Sequence, residues 1–344
     1  MLENRIIDRI ADGADSVAID QSRCLKMRFN KSVCSVCQKH CRFDAVRIDE
    51  GVDIRRGACS ECMLCVSTCP TGCFDIKAMD FHSLIARLRK TGTSIPAPVL
   101  GCNTRPDVKA HERTFCFGYL SEEHVLALAV FLEGGLQINL GGCADCGNGF
   151  IVDILKKRIE SAAKKSLLPV SEKIALVEDC RLLNYQDVAY DRRSFFQAMK
   201  NFTFLQASRS LAGKAAGDIT QAYSAKKIPS RRRLLNRILG ATCDGQRDEL
   251  LRAYYYTLGI KDSCNNCFGC VGMCPTGALK IDRPESGAVL AFNASFCSGC
   301  GLCETFCMSS SAFVRSGYSG DSPFDFRNVK REIVFETGRQ ENEF

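Results

Sequence analysis

Long apolar runs are missing from this chain of 344 residues. No stretch of about eighteen apolar residues occurs, which argues against a membrane-spanning helix. The first residues, MLENRIIDRIADGADSVAID, carry acidic side chains throughout and hold no apolar segment of signal-peptide length. The twin arginines in SRRRLLNRILG are internal and have no apolar region behind them, so they are no export signal. Nucleotide fingerprints are missing too: neither G-x-G-x-x-G nor a P-loop is present. The C-x3-C-x2-C string of radical chemistry is also lacking. Only four histidines exist, none in a catalytic-looking motif. His40, inside CQKHC, is either a neighbour that tunes a metal group or simply exposed. A substrate-converting site is hard to find, and no catalytic residue is assigned.

What the chain has in excess is cysteine. The 23 thiols are about 7% of the residues, several times ordinary usage. Disulfides, zinc and iron–sulfur clusters compete for them. The number is odd, and most cysteines lie two or three residues apart, which suits convergence on metal centres better than long-loop staples. With the acidic N-terminus, this reads as a cytoplasmic protein kept reduced.

Two runs near the C-terminus, CNNCFGCVGMCPTG and CSGCGLCETFC, each read C-x2-C-x2-C-x3-C. Three thiolates at this spacing lie on one tight loop, and the fourth heads away to the neighbouring cluster. The expected [4Fe–4S] sets are Cys264, Cys267, Cys270 with Cys307, and Cys297, Cys300, Cys303 with Cys274. Between the runs, ALKIDRPESGAVLAF reads as strand, turn, strand. The segment 260–315 resembles a bacterial two-[4Fe–4S] ferredoxin. Zinc knuckles would need neither the third thiolate nor the Cys-Pro ending.

Near the N-terminus, CSECMLCVSTCP is a complete run, whereas CSVCQKHC lacks its first cysteine; Lys31 stands at that place. The linking FDAVRIDEGVDIRRGAC again reads as strand, turn, strand, so this segment resembles a second two-cluster ferredoxin. Cys24 and Cys73 are spare. Ten residues separate Cys24 from Cys34, a span of up to about 33 Å when extended, so Cys24 folds back easily. Cys73 takes the place of Ala278 in the C-terminal CPTGALKI, an inward-packing position for a structural thiol. The expected sets are Cys24, Cys34, Cys37 and Cys69, and Cys59, Cys62, Cys65 with Cys41.

Between these ends, Asp80 starts a short amphipathic helix with Phe81, Leu84, Ile85 and Leu88 on one face. APVLGC, LQINLGGC and KIALVED read as buried strands. Ser121 caps a helix through HVLALAVFLE, and a second helix runs through FIVDILKKRIESAAKK. Such alternation predicts a small parallel α/β sheet. Cys102, Cys116, Cys143 and Cys146 fall near strand C-termini, where sites in such sheets lie. They make one four-thiolate set from three loops, with zinc as a fair rival. The order GC…CFGYLSEEHVLAL…GGCADCGN is similar to the δ subunit of methyl-viologen-reducing hydrogenase, over about residues 97–165. That family links hydrogenase or formate dehydrogenase to heterodisulfide-reductase-type flavoproteins, and the resemblance implies a [2Fe–2S] cluster. The family commonly has another cysteine shortly after the first, where this chain has Arg105.

The expected organisation is an α/β and α+β multidomain chain: two ferredoxin-like two-cluster modules flanking a small parallel α/β domain. The modules are placed at 1–80 and 256–344, a linker helix at 81–96, the α/β domain at 97–205 and a basic connector at 206–255. The connector's SRRRLLNRILG reads as a solvated helix face and a docking surface for an acidic partner. The formal charge of +7 permits nucleic-acid binding, but no recognised nucleic-acid motif accompanies the basic run. The tail after Gly317 reads as polar, mobile or laid over a partner. Four [4Fe–4S] clusters and one [2Fe–2S] cluster predict an electron-transfer subunit with a docking face at each end. The resemblance implies redox partners: a hydrogenase, formate dehydrogenase or other molybdenum or tungsten enzyme on one side, and a flavoprotein on the other. This implies anaerobic metabolism. The Cys-Cys-Gly string of heterodisulfide-cleaving subunits does not occur. The competing readings are an enzyme whose central cluster binds substrate, and an assembly or scaffold protein for a metalloenzyme.

Overall fold

The computed structural model describes residues 16–77, 79–187, 224–285, 287–320 and 322–332. In the N-terminal part, β1 (Val17–Ile19) pairs antiparallel with β4 (Phe74–Ile76), and β2 (Val46–Ile48) with β3 (Val52–Ile54). Both cysteine runs lie within this outer pair, on either side of the inner hairpin. Alternation sets the faces: Val46 and Ile48 are buried and Arg47 between them is exposed.

Helix α1 (Phe81–Gly92) follows, with the Asp80 carboxylate accepting from the His82 amide at 3.1 Å. Its inner face is Leu84, Ile85, Leu88 and Thr91. The central sheet comprises β5 (Val99–Cys102), β6 (Glu112–Thr114), β7 (Leu136–Asn139) and β8 (Ile174–Val177), all parallel, in the order β6-β5-β7-β8. β6 is a short edge strand that the sequence does not announce. Helix α2 (Glu122–Phe131) opens on a capping box in which His124 replaces the usual acidic partner of Ser121. All its residues from His124 to Ala129 are buried, as an apolar-all-round helix must be. Helix α3 (Ile151–Lys165) is amphipathic and turns Ile151, Leu155, Ile159 and Ala162 inward.

Helix α4 (Ser230–Ala241) packs on α2, and α5 (Asp244–Tyr254) leads into β9 (Tyr256–Lys261). The C-terminal part repeats the N-terminal pairing. β10 (Leu279–Asp282) and β11 (Val289–Phe292) form an inner hairpin, and β12 (Ala312–Ser316) returns antiparallel to β9. One continuous apolar core runs from Cys24 to Ala312 through all three regions.

Two expectations need correction. The arginine run is solvated only in part: Arg233 and Arg237 are exposed, but Arg232 is buried, and Arg231 pairs with Glu123 at 3.6 Å. Charge alone suggested solvent, but carbonyls brought from distant segments take these guanidinium groups. The tail after Gly317 is structured as far as Glu332: β13 (Arg327–Asn328) pairs with β11 and β14 (Arg331–Glu332) with β9. The N- and C-terminal parts meet: the Phe29 ring lies edge-on to Phe306 at 5.3 Å. The segment ASRSLAGKAAGD and the terminal GRQENEF lie outside the described residues. No helix of the described residues is long and apolar enough to cross a membrane.

Candidate metal centres

All 23 cysteines are free thiols. Twelve of them line three small cavities, four to each. Cys41, Cys59, Cys62 and Cys65 line one, together with Met63 and Leu64. Cys274, Cys297, Cys300 and Cys303 line another. At the C-terminal edge of the parallel sheet, Cys102 ends β5, Cys116 follows β6, and Cys143 and Cys146 follow β7. All four line one small cavity at the point where the strand order reverses.

Elsewhere, burial and neighbouring thiols together act on the cysteines of the expected sets. Burial, then Cys69, Cys24 and Cys34, push the Cys37 thiol up to about 12. Burial, then Cys267, Cys264 and Cys307, push Cys270 up to about 11. Thiolates crowded this way need positive charge among them. Among the described residues, no three Cys, His, Asp or Glu side chains close on a single-ion site.

Backbone conformation singles out the same loops. The residues just before and just after the second cysteine of a run are left-handed in three runs: Glu61 and Met63, Asn266 and Phe268, Gly299 and Gly301, with φ between 53° and 67°. The third residue after the last cysteine is left-handed in all four: Asp44, Gly72, Gly277 and Ser310. Such a residue costs about 1–2 kcal/mol when it is not glycine. Every described non-glycine residue with positive φ belongs to this set. Alternation of right- and left-handed residues turns successive amides to one side, making an anion-binding concavity of the kind used at iron–sulfur sites. Amides also reach the thiols: Ala45 to Cys41, Cys73 to Cys69 and Ser311 to Cys307, each at 3.3 Å. The hydroxyls of Thr71, Thr276 and Ser309 stand 3.5–3.6 Å from the sulfurs of Cys69, Cys274 and Cys307.

The run through Cys34 departs from this pattern. It has no left-handed residue beside Cys34, Val33 is 90% exposed, and Lys31 faces solvent. Cys24 arrives from upstream, buried; the neighbouring Cys73 thiol and the Met27 and Lys26 amides hold it below the usual thiol range, while the same neighbour and burial push Cys73 up. His40 lies outside the group, exposed, with Nδ1 2.8 Å from the Val36 carbonyl. Cys180 and Cys243 are exposed and line none of the thiol cavities.

In the central cavity, Cys102 and Cys116 lie close enough to shift one another's thiol in opposite directions, which pairs them as the C-x2-C spacing pairs Cys143 and Cys146. Arg105 lines the same cavity, donating to the Gly142 carbonyl at 2.5 Å and, in a two-pronged pair, to Asp107. Sequence reading treated Arg105 only as a missing cysteine. It also missed Asn148, which lines this cavity while its amide donates to the Ser60 carbonyl at 2.9 Å, beside the neighbouring thiol group. The GGCADCGN string held that signal, since a polar side chain next to paired cysteines on a turn needs a partner.

The chain matches the family model described as a 4Fe-4S dicluster domain over residues 263–311. That span holds all eight C-terminal cysteines. It gives this part of the chain a [4Fe–4S] site and an iron–sulfur electron-transfer role in general. No curated protein and no solved structure matches the chain.

Proposed function

We propose that the protein is a multi-cluster electron relay, holding four [4Fe–4S] clusters and one [2Fe–2S] cluster and passing single electrons between two redox partners. The observation that carries this reading is the recurrence of the left-handed positions around thiol-lined cavities in both the N-terminal and C-terminal parts. Soft thiolates suit iron–sulfur clusters, and amides aimed inward stabilise their sulfides. The matching strand pairings favour a second ferredoxin-like module at the N-terminus, with Cys24, Cys34, Cys37 and Cys69 holding one cluster and Cys41, Cys59, Cys62 and Cys65 the other. Two thiol pairs in the central cavity suit two irons, one held by each pair, better than one zinc.

When bound, the clusters supply reversible one-electron storage. This chain's own residues hold them apart from water and from one another. The resemblance of the central segment to the hydrogenase δ subunit favours a hydrogenase or formate dehydrogenase on one side and a flavoprotein on the other. Anaerobic purification followed by iron, sulfide and zinc analysis tests the assignment, with about 18 iron and little zinc expected per chain. One zinc with about 16 iron would remove the central [2Fe–2S] assignment, and iron near 10 would remove the N-terminal module.

A further inference from the structure

Among the described residues, Arg232 is the only lysine or arginine that is buried, at 5% exposure. Helix α4 drives it between β9 and the loop that leads to Cys297. Its Nη1 donates to the Tyr254 carbonyl at 2.6 Å and its Nη2 to the Ala294 carbonyl at 3.0 Å. The Cys297 amide donates to that same Ala294 carbonyl at 3.2 Å. One peptide oxygen therefore joins the guanidinium to a proposed cluster ligand. The guanidinium also lies 4.2 Å from the Tyr255 ring centre and 5.8 Å from that of Tyr256. Tyr256 in turn presses on Gly299, where a Cβ would fall 2.2 Å from the ring.

No carboxylate pairs with Arg232 among the described residues, and its Nε has no hydrogen-bond partner there. Neighbouring Glu123 is engaged by Arg231 instead. A permanent cation buried without a counter-ion is costly unless negative charge lies close by. Four thiolates and the cluster they hold would supply that charge. The N-terminal counterpart of this loop is built with the opposite sign. Glu61 occupies the place of Gly299, two residues after Cys59, and its carboxylate accepts from Ser16 at 2.7 Å.

We propose that Arg232 is a positioning residue for electrons: it raises the reduction potential of the cluster held by Cys274, Cys297, Cys300 and Cys303 above that of the other [4Fe–4S] clusters. This rests on the relay reading above. Reduction adds negative charge, and a fixed buried cation favours the reduced form without being screened by salt. Electrons entering the protein then come to rest at this cluster.

The test is a redox titration of the full-length, cluster-replete protein, followed by electron paramagnetic resonance. The couple in question is the one missing from Cys300→Ala. In Arg232→Gln its reduced-to-oxidised ratio at a fixed potential should fall about tenfold, a shift of about 59 mV for one electron, with the other couples unmoved. Arg232→Lys, which keeps the charge, should retain most of the potential. A purely structural role would lower thermal stability and leave the potential alone. Should Arg232→Gln not fold, the wild-type titration decides: this couple must be the highest of the four and the least sensitive to salt. An unmoved potential in Arg232→Gln, or a higher one at another [4Fe–4S] couple, overturns the proposal while leaving the relay intact. Absence of any signal that Cys300→Ala removes overturns both.

Discussion

Exchanging Cys24 and Cys73 for alanine, one at a time, separates a ligand from its neighbour. The two thiols are neighbours in a buried corner, but their surroundings differ. Cys24, 8% exposed, is approached by the amides of Met27 and Lys26, which hold its thiol down. Cys73 is 2% exposed, and its own amide is bound to the Cys69 sulfur at 3.3 Å. A sulfur met by amide donors is set up as a thiolate, whereas a sulfur closed in by burial stays a neutral thiol. Cys24→Ala leaves Cys34, Cys37 and Cys69, so one iron loses its protein ligand. Iron should fall by about one atom of about 18 if a three-iron cluster survives, or by about four if the cluster leaves. Cys73→Ala removes one buried sulfur, a loss of about 1–2 kcal/mol in stability, with iron unchanged. Iron and sulfide per chain, together with the resonance signal of a three-iron cluster, measure the difference. Iron loss in Cys73→Ala alongside a full complement in Cys24→Ala would refute the reasoning.

Gly118→Ala tests how tightly the central sheet holds the second N-terminal thiol group. A Cβ there would lie 2.0 Å from the Cys62 carbonyl and 3.0 Å from Ile151, so the backbone must shift, at about 1–3 kcal/mol. The melting temperature should drop and iron at the Cys62 loop should become labile; an unchanged melt and iron content would show that the contact is not needed. For pH, burial alone would raise Glu123, but the Arg231 guanidinium, the Ser121 hydroxyl and its own amide bring it down to about 2. A depressed carboxylate adds stability above its unfolded value, lost as pH falls from about 4.5 towards 2, and worth about 3 kcal/mol here. Glu123→Gln should therefore melt lower than wild type at pH 7, with the gap narrowing on acidification; a gap that stays constant with pH would sink the assignment.

The sequence was readable where local chemistry decides the structure. Ser121 and Asp80 start helices because their side chains satisfy free amides. The buried alternation around Val46 makes a hairpin where Gly51 turns the chain, and the strands on either side of Pro284 pair in the same way. Thiol spacing brought Cys59, Cys62 and Cys65 together because three residues per ligand fit a loop. What stayed hidden depends on distant partners. Glu61, Met63, Asn266 and Phe268 hold left-handed backbones that their side chains do not advertise, unlike Gly299 and Gly301. Arg232 looks like a solvent residue until the carbonyls of Tyr254 and Ala294 are brought to it. The strand Arg327–Asn328 has no apolar pattern, since it sits at a sheet edge and pairs through its backbone.

The arginine-rich segment, read as a connector, joins the two matching corners of the chain. The Cys69-Pro70-Thr71-Gly72 and Cys274-Pro275-Thr276-Gly277 turns lie on either side of residues 226–231. Lys227 donates its amide to the Pro275 carbonyl at 3.0 Å, and the Lys226 side chain rests against Gly277. Pro229 rests against Gly72, and Arg231 reaches the Cys69 carbonyl. Arg23 ties both sides together, donating to the Gly72 carbonyl at 2.9 Å and to that of Ile228 at 3.3 Å. On the proposed ligand sets, each corner carries the cysteine that crosses to its neighbouring group, so the strap binds the crossing points themselves. On the far side, Cys62 abuts Gly118, two residues beyond Cys116, and the Asn148 amide spans to Ser60. Under the relay reading, thiol groups follow one another from the central sheet through the N-terminal part to the C-terminal part, joined at each step by packed or hydrogen-bonded backbone. Tunnelling falls off steeply with distance, so a chain folded back on itself carries electrons across contacts that an extended string of modules would lack.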